Sequence, residues 1–283
     1  MKFVDNDRLA WLILEYFLAC DYFHGDEVNI GNAIDWLKLS SGVESINIDT
    51  AKHDDSVLYC GIVWDYEEAR SKLMSSLTTE LVRFHFVWGA LESLVAEFVP
   101  SAKIKKIGKM NALCDYLKKS NLEDLLPKGY LEEYNNLVEL MKKISQYKND
   151  IDTIRLPTAN NSNEANHIDI AGIGIYRVYK VRNKFAHGAM EFPEPESHDE
   201  DAGLNKELII VATRIVLMTI IMLFVNDIKM DDFILDPNEF SFIEDLELDS
   251  YEYSLMEHLD EDNFDFHNIT ATTYLRNLCI DRT

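Results

Sequence analysis

Paired cysteines are missing from this chain. Its four, Cys20, Cys60, Cys114 and Cys279, are scattered, with no C-x-x-C spacing and no histidine at ligand distance along the sequence. That pattern excludes a zinc-ribbon type of site and a disulfide scaffold, and reduced cytoplasm is the expected compartment. Nothing at the N-terminus resembles a secretory leader either. Met1-Lys2-Phe3-Val4-Asp5 turns acidic at once, and the apolar stretch after it carries Arg8 and Glu15. No internal repeat is visible, and aspartates abound without pairing to histidine at a metal-binding spacing. No metal or other cofactor is implied.

Positive charge is the other shortage. Against 50 Asp and Glu stand only 27 Lys and Arg, a net charge of −23 over 283 residues. Taken whole, this argues against a nucleic-acid-binding protein. Divided along the chain it argues differently. Residues 1–80 hold 6 basic and 15 acidic side chains, residues 81–190 hold 16 and 12, and residues 191–283 hold 5 and 23. The middle third is the one basic part, and a basic segment is the electrostatic footprint of a phosphate-bearing partner.

What the chain does have is helical periodicity. Apolar residues at helical spacing predict helices over 7–23 and 32–39, then a long one from Asp65 to Val99 with Leu73, Leu77, Leu81, Phe84, Trp88, Leu91 and Val95 inward. Residues 45–63 are weakly patterned and read as a loop or a small hairpin. Two further helices are expected over 109–119 and 130–146, parted by Pro127-Lys128-Gly129, and another over 168–187. Residues 157–166 read as an exposed loop and 191–203, with two prolines and six acids, as a solvated linker. The apolar run from Leu208 to Val225 is 18 residues long but carries Arg214 near its middle. It predicts a central helix of a bundle rather than a membrane span. Beyond Lys229, acids alternate with aromatics, which suggests short elements packed on the bundle and a last helix near 270–279.

Six residues carry the functional argument: Arg182-Asn183-Lys184-Phe185-Ala186-His187, followed by Gly188. A guanidinium is always charged and can hold a phosphate, while imidazole as a residue type titrates near neutrality and can move a proton. Those groups suffice to cleave RNA without a metal. On a straight helix Arg182 and His187 lie about 140° apart, whereas Asn183 and His187 share a face. Either the helix distorts near its glycine end or two copies meet at a composite cleft. The alternative is structural: a histidine ending a helix can cap its carbonyls, and the arginine can pair with an acid such as Glu92.

The blocks 65–99, 109–147, 168–187 and 204–228, with R-N-x-x-x-H and a glycine after it, resemble the HEPN superfamily of nucleotide-binding and RNase domains. The resemblance covers about 65–228. It implies a mostly α protein with a HEPN-like antiparallel helical bundle; the flanks, an N-terminal helical extension (1–64) and an acidic, aromatic-rich C-terminal region (229–283), are read from patterning and charge and have no counterpart in it. It further implies an endoribonuclease of a toxin–antitoxin or antiviral defence system, acting as a homodimer, beside an antitoxin or other defence partner and with no membrane. Arg182, Asn183 and His187 would be catalytic. Arg177, Lys180 and Lys184 would contact RNA, and Glu92 would support the motif from behind. The tyrosine that some family branches carry two residues after the histidine is Ala189 here, so silencing through that residue is not expected. The acidic C-terminal region is either a cover over the basic cleft or a second layer of the bundle. The other functional class is a non-catalytic HEPN-like module for dimerisation or sensing.

Overall fold

The computed structural model describes residues 2–24, 29–53, 61–118, 126–144, 168–188, 192–195, 203–227 and 276–280, and among these described residues helical patterning becomes eight α-helices. In chain order these are α1 (Asn6–His24), α2 (Gly31–Ser41), α3 (Gly61–Phe98), α4 (Ser101–Ile107), α5 (Lys109–Leu117), α6 (Tyr130–Lys143), α7 (Ile173–Ala186) and α8 (Leu204–Asp227). The protein is mostly helical. The expected loop at 157–166 and most of the acidic region lie outside the described residues. The division expected at 64–65 falls within the first turn of α3.

α8 is central because no polar face forces it outward. Ala212 through Phe224 are all buried, and the helix packs on α3, α6, α7 and α1. Its length and mean hydropathy of 2.7 would suit a membrane span, yet 89% of that window is covered by the rest of the fold. Thr213 and Thr219 stay satisfied inside by donating to the carbonyls of Ile209 and Ile215, each at 2.7 Å. Phe224 meets α1 in a stack on Phe17 (4.3 Å) and an edge contact with Tyr16 (5.8 Å).

α3, at 38 residues, is about 57 Å long. Its inward residues begin at Leu77, so the first four turns reach past the core. α2 packs beside it, with the Trp36 indole seated on Gly89; a Cβ there would lie 2.7 Å from the ring.

Residues 43–50 form neither a hairpin nor a free loop. They run extended and antiparallel to α3, and the N–H groups of Ile46, Ile48 and Thr50 donate to Thr79 Oγ1 (2.9 Å), Ser75 Oγ (2.8 Å) and Ser71 Oγ (3.1 Å). The match is geometric. Two extended residues advance about 6.6 Å and four helical residues about 6.0 Å, so hydroxyls at i, i+4 and i+8 meet every second amide. Arg83 closes the upper end by donating to the carbonyl of Val43 at 2.9 and 2.6 Å.

The presumed linker also packs in part. Pro193 and Pro195 are buried, and the Tyr66 hydroxyl donates to Glu194. At the far end, the expected last helix is described only from residue 276, where 276–277 are helical, and the chain then pairs Ile280 with Phe3. Val4 N–H donates to Cys279 O (3.2 Å) and Lys128 N–H to Arg276 O (2.9 Å). Leu278 and Cys279 are buried. Gly129, at φ +85°, turns the chain beneath Phe3, where a Cβ would meet the ring at 2.5 Å.

α7 begins later than its periodicity predicts. Asp169 Oδ1 accepts the N–H groups of Ala171 (3.0 Å) and Gly172 (3.3 Å), an Asx turn that holds 170–172 out of the helix. The Tyr130 hydroxyl then fixes the start of α7, donating to Ala171 O (2.7 Å) and accepting from Gly174 N–H (3.0 Å). Tyr130→Phe leaves both groups unpaired in the interior, so it should cost about 1–3 kcal/mol in urea unfolding.

Candidate phosphate-handling site on the motif helix

The buried stripe of α7 is Gly174, Ile175, Tyr176, Arg177, Val178 and Val181. At 100° per residue, the residues beyond that stripe divide into two flanks. Asn183 and His187 share one flank with Lys180 and Lys184. Arg182 lies on the other, near Tyr179 and Phe185.

Arg182 is half-buried and its guanidinium lies over the Trp88 indole, 5.3 Å from the ring centroid. Among the described residues no carboxylate is within ion-pair distance of it. Trp88 is itself held from several sides. It is 5% exposed, stacks on Tyr179 at 6.5 Å and leans on Phe84 at 5.9 Å. Its Nε1–H donates to Glu92 Oε1 at 2.8 Å, and Glu92 Oε2 pairs with Lys109 at 3.5 Å. Glu92 therefore reaches Arg182 only through the indole, and the arginine–glutamate pair weighed as an alternative does not form. Phe84 also meets Phe185 edge-on at 6.4 Å. The outcome is a rigid aromatic shelf carrying a guanidinium whose charge is not neutralised by any described residue.

His187 ends the helix. It is the C-cap residue, at φ −98° and ψ 8°, and is exposed. Its N–H donates to Asn183 O at 3.1 Å, and Gly188 N–H donates to Phe185 O at 3.1 Å. Gly188, at φ +66°, adopts the left-handed conformation that closes helices. The imidazole is thus presented to solvent at the rim, one turn beyond Asn183. The bend at the C-cap is local, and the two flanks stay distinct within one copy.

The expected RNA contacts separate. Lys180 lies over the Tyr176 ring at 5.1 Å and is half-buried, as is Lys184. Both sit on the His187 flank. Arg177 does not join them. At 2% exposure it belongs to the core, bonded to Tyr134 of α6, and burial pulls its pKa below the ordinary arginine value. A guanidinium so enclosed cannot meet a phosphate arriving from solvent, and we assign Arg177 to packing.

Sequence reasoning missed Trp88, Tyr179 and Lys109 as parts of this arrangement. The signal available was the Trp88/Glu92 pair at i and i+4 on α3. Cys114 and Cys279 are inert thiols. Burial pushes Cys279 up to about 12, and Cys114, whose thiol points at Gly172 O (3.5 Å), is raised further by burial. No family model matches this chain, and no curated protein or solved structure matches it either.

Proposed function

We propose that this chain is a metal-independent endoribonuclease of the HEPN type, working as a homodimer in a toxin–antitoxin or antiviral defence setting. One observation carries the reading: a guanidinium that no described carboxylate neutralises, held on a fixed indole, on a helix that ends in an exposed imidazole. Arg182 stabilises the negative charge that gathers on the phosphate as the ribose 2′-oxygen bonds to phosphorus and the P–O5′ bond breaks. His187 of one copy takes the 2′-hydroxyl proton, and His187 of the other protonates the departing 5′-oxygen. Asn183 orients the cap, and Lys180 and Lys184 hold neighbouring phosphates. Glu92 acts through Trp88 as a positioning residue.

The divergence of the two flanks favours pairing of copies, since one helix cannot aim Arg182 and His187 at one phosphorus. It equally suits the second reading, a non-catalytic dimerisation or sensing module of the same family. Purified chain with RNA in EDTA separates them. Cleavage under chelation supports the nuclease, and intact RNA at high protein concentration supports the module.

A further inference from the structure

Glu92 stands beside the one guanidinium whose charge the proposed chemistry needs. It meets the edge of the indole whose face carries Arg182, and its side chain is 43% exposed, so packing does not fix it. An indole N–H lies in the plane of its ring. Glu92 Oε1, 2.8 Å from Nε1, is therefore beyond the ring edge, while the Arg182 guanidinium lies over the face, 5.3 Å from the centroid. Half the width of one ring and that stacking height part the two opposite charges. A carboxylate gains more from a guanidinium than from a neutral indole N–H, because charge-assisted hydrogen bonds are the stronger kind. Coulomb attraction alone would bring Glu92 over the ring edge and onto Arg182.

That pair does not form, and Lys109 supplies the reason. Lys109 is the first residue of α5, following Gly108 at φ +83°, and its Nζ reaches back to α3 to lie 3.5 Å from Glu92 Oε2. Glu92 thus has one oxygen on the indole and the other on a cation. Among the described residues, Lys109 is the cation paired with Glu92. We propose that Lys109 gates the charge of Arg182. With its ammonium on Oε2, Glu92 stays at the indole edge and the guanidinium is open to a phosphate. Without that charge, Glu92 rotates onto Arg182 and neutralises it on the shelf. The gate rests on the proposed function, in which Arg182 meets the scissile phosphate, and it gives that site a silent state controlled by one lysine. Lys109 is a positioning residue: it acts through Glu92 and does not itself hold the phosphate.

The test uses the full chain labelled with nitrogen-15, reading the Trp88 indole N–H and the Arg182 Nε–H resonances. Each is assigned by its loss in Trp88→Phe and Arg182→Lys. Lys109→Met keeps the length of the side chain without its charge, and at 44% exposure the site tolerates the change. In that variant the indole signal should move toward that of an unbonded indole, and Arg182 Nε–H should exchange with water more slowly as it gains a carboxylate. Lys109→Arg keeps a cation and should leave both signals as in the wild type. Glu92→Gln added to Lys109→Met removes the carboxylate charge but leaves an oxygen for the indole N–H, and should return both signals toward the wild type. Cleavage in EDTA should follow the same order, falling about fivefold in Lys109→Met, the upper size of an exposed ion pair, and recovering in the double variant. Unchanged indole and Arg182 signals in Lys109→Met overturn the proposal. So does a loss of cleavage that Glu92→Gln does not restore, which would make Lys109 a direct RNA contact. The two resonances need no RNA, so a wild-type chain that leaves RNA intact removes the nuclease reading alone.

Discussion

Arg182→Ala and His187→Ala should each lower RNA cleavage in EDTA by about 10²–10⁴-fold, the range for losing a charge stabiliser or a general acid–base group. Neither should unfold the protein. His187 is exposed, and Arg182 rests half-buried on Trp88 with no described ion pair. The lost cation–π contact is worth about 0.5–1 kcal/mol at such a site. Arg182→Lys should recover little, because an ammonium neither stacks flat on the indole nor presents a fork of donors to a phosphate. Mixing the two alanine variants discriminates further. If each cleft takes arginine from one copy and histidine from the other, the mixture regains part of the wild-type rate. A mixture as inactive as its components would show that one arginine and one histidine from different copies do not suffice, because the cleft needs both histidines or lies within one copy. Equal residual activity in wild type and both variants would remove the motif from the chemistry.

The largest stability effect is expected at Arg214. Its Nη1 lies 2.6 Å from Glu133 Oε1, and both side chains are buried. Arg214 also covers the Phe3 ring at 4.9 Å, so this pair sits under the junction of both chain ends. Burial raises the Glu133 pKa despite the opposing pull of Arg214. Arg214→Met keeps the bulk but removes the partner, and leaving a buried carboxylate uncompensated costs about 3–5 kcal/mol. The pH dependence follows from the sign of the shift. A carboxyl whose folded pKa is raised binds its proton more tightly in the native state. Its contribution is present below the ordinary carboxyl value of 4.5 and is lost as pH rises through the folded value. The penalty in Arg214→Met should therefore be small near pH 5 and full at pH 8, by urea unfolding at each pH. Among the described residues Glu133 Oε2 and Arg214 Nε have no hydrogen-bond partner, so the pair is incompletely satisfied there. Replacing both, Glu133→Leu with Arg214→Met, should regain most of the loss. A double variant no better than the single one would contradict this assignment.

The helices were legible because apolar spacing and burial agree. α8 reads as central from composition alone, and the motif helix ends where Gly188 predicts. Other features carry signals that hydrophobic periodicity does not register. Ser71, Ser75 and Thr79 look like an ordinary polar face of α3, and only the main chain of 46–50 reveals them as a row of acceptors. Arg177 reads as a surface cation by residue type, and its burial depends on Tyr134 arriving from another helix. Pro193 and Pro195 suggested a solvated linker, but both are buried, and Glu194 between them meets Tyr66 of α3, far away in sequence. The return of 276–280 onto Phe3 is a long-range pairing with no local mark. It also changes how the acidic region is tested. Truncation at 229 would strip Leu278 and Cys279 from the core, so joining Asp227 to Arg276 through a short linker is the informative deletion.

Of the candidate site, Arg182, Asn183 and His187 were readable as a string of suitable groups. The shelf that holds Arg182 was not, because Trp88, Tyr179 and Glu92 meet across two helices. That shelf makes the guanidinium available, so the central claim concerns the chemistry it performs. The most direct measurement is the end group left on RNA cleaved by the wild-type chain in EDTA. The account predicts a 2′,3′-cyclic phosphate on one fragment and a 5′-hydroxyl on the other, both lost with Arg182→Ala. Fragments ending in 3′-hydroxyl and 5′-phosphate, or no cleavage at all, would contradict it.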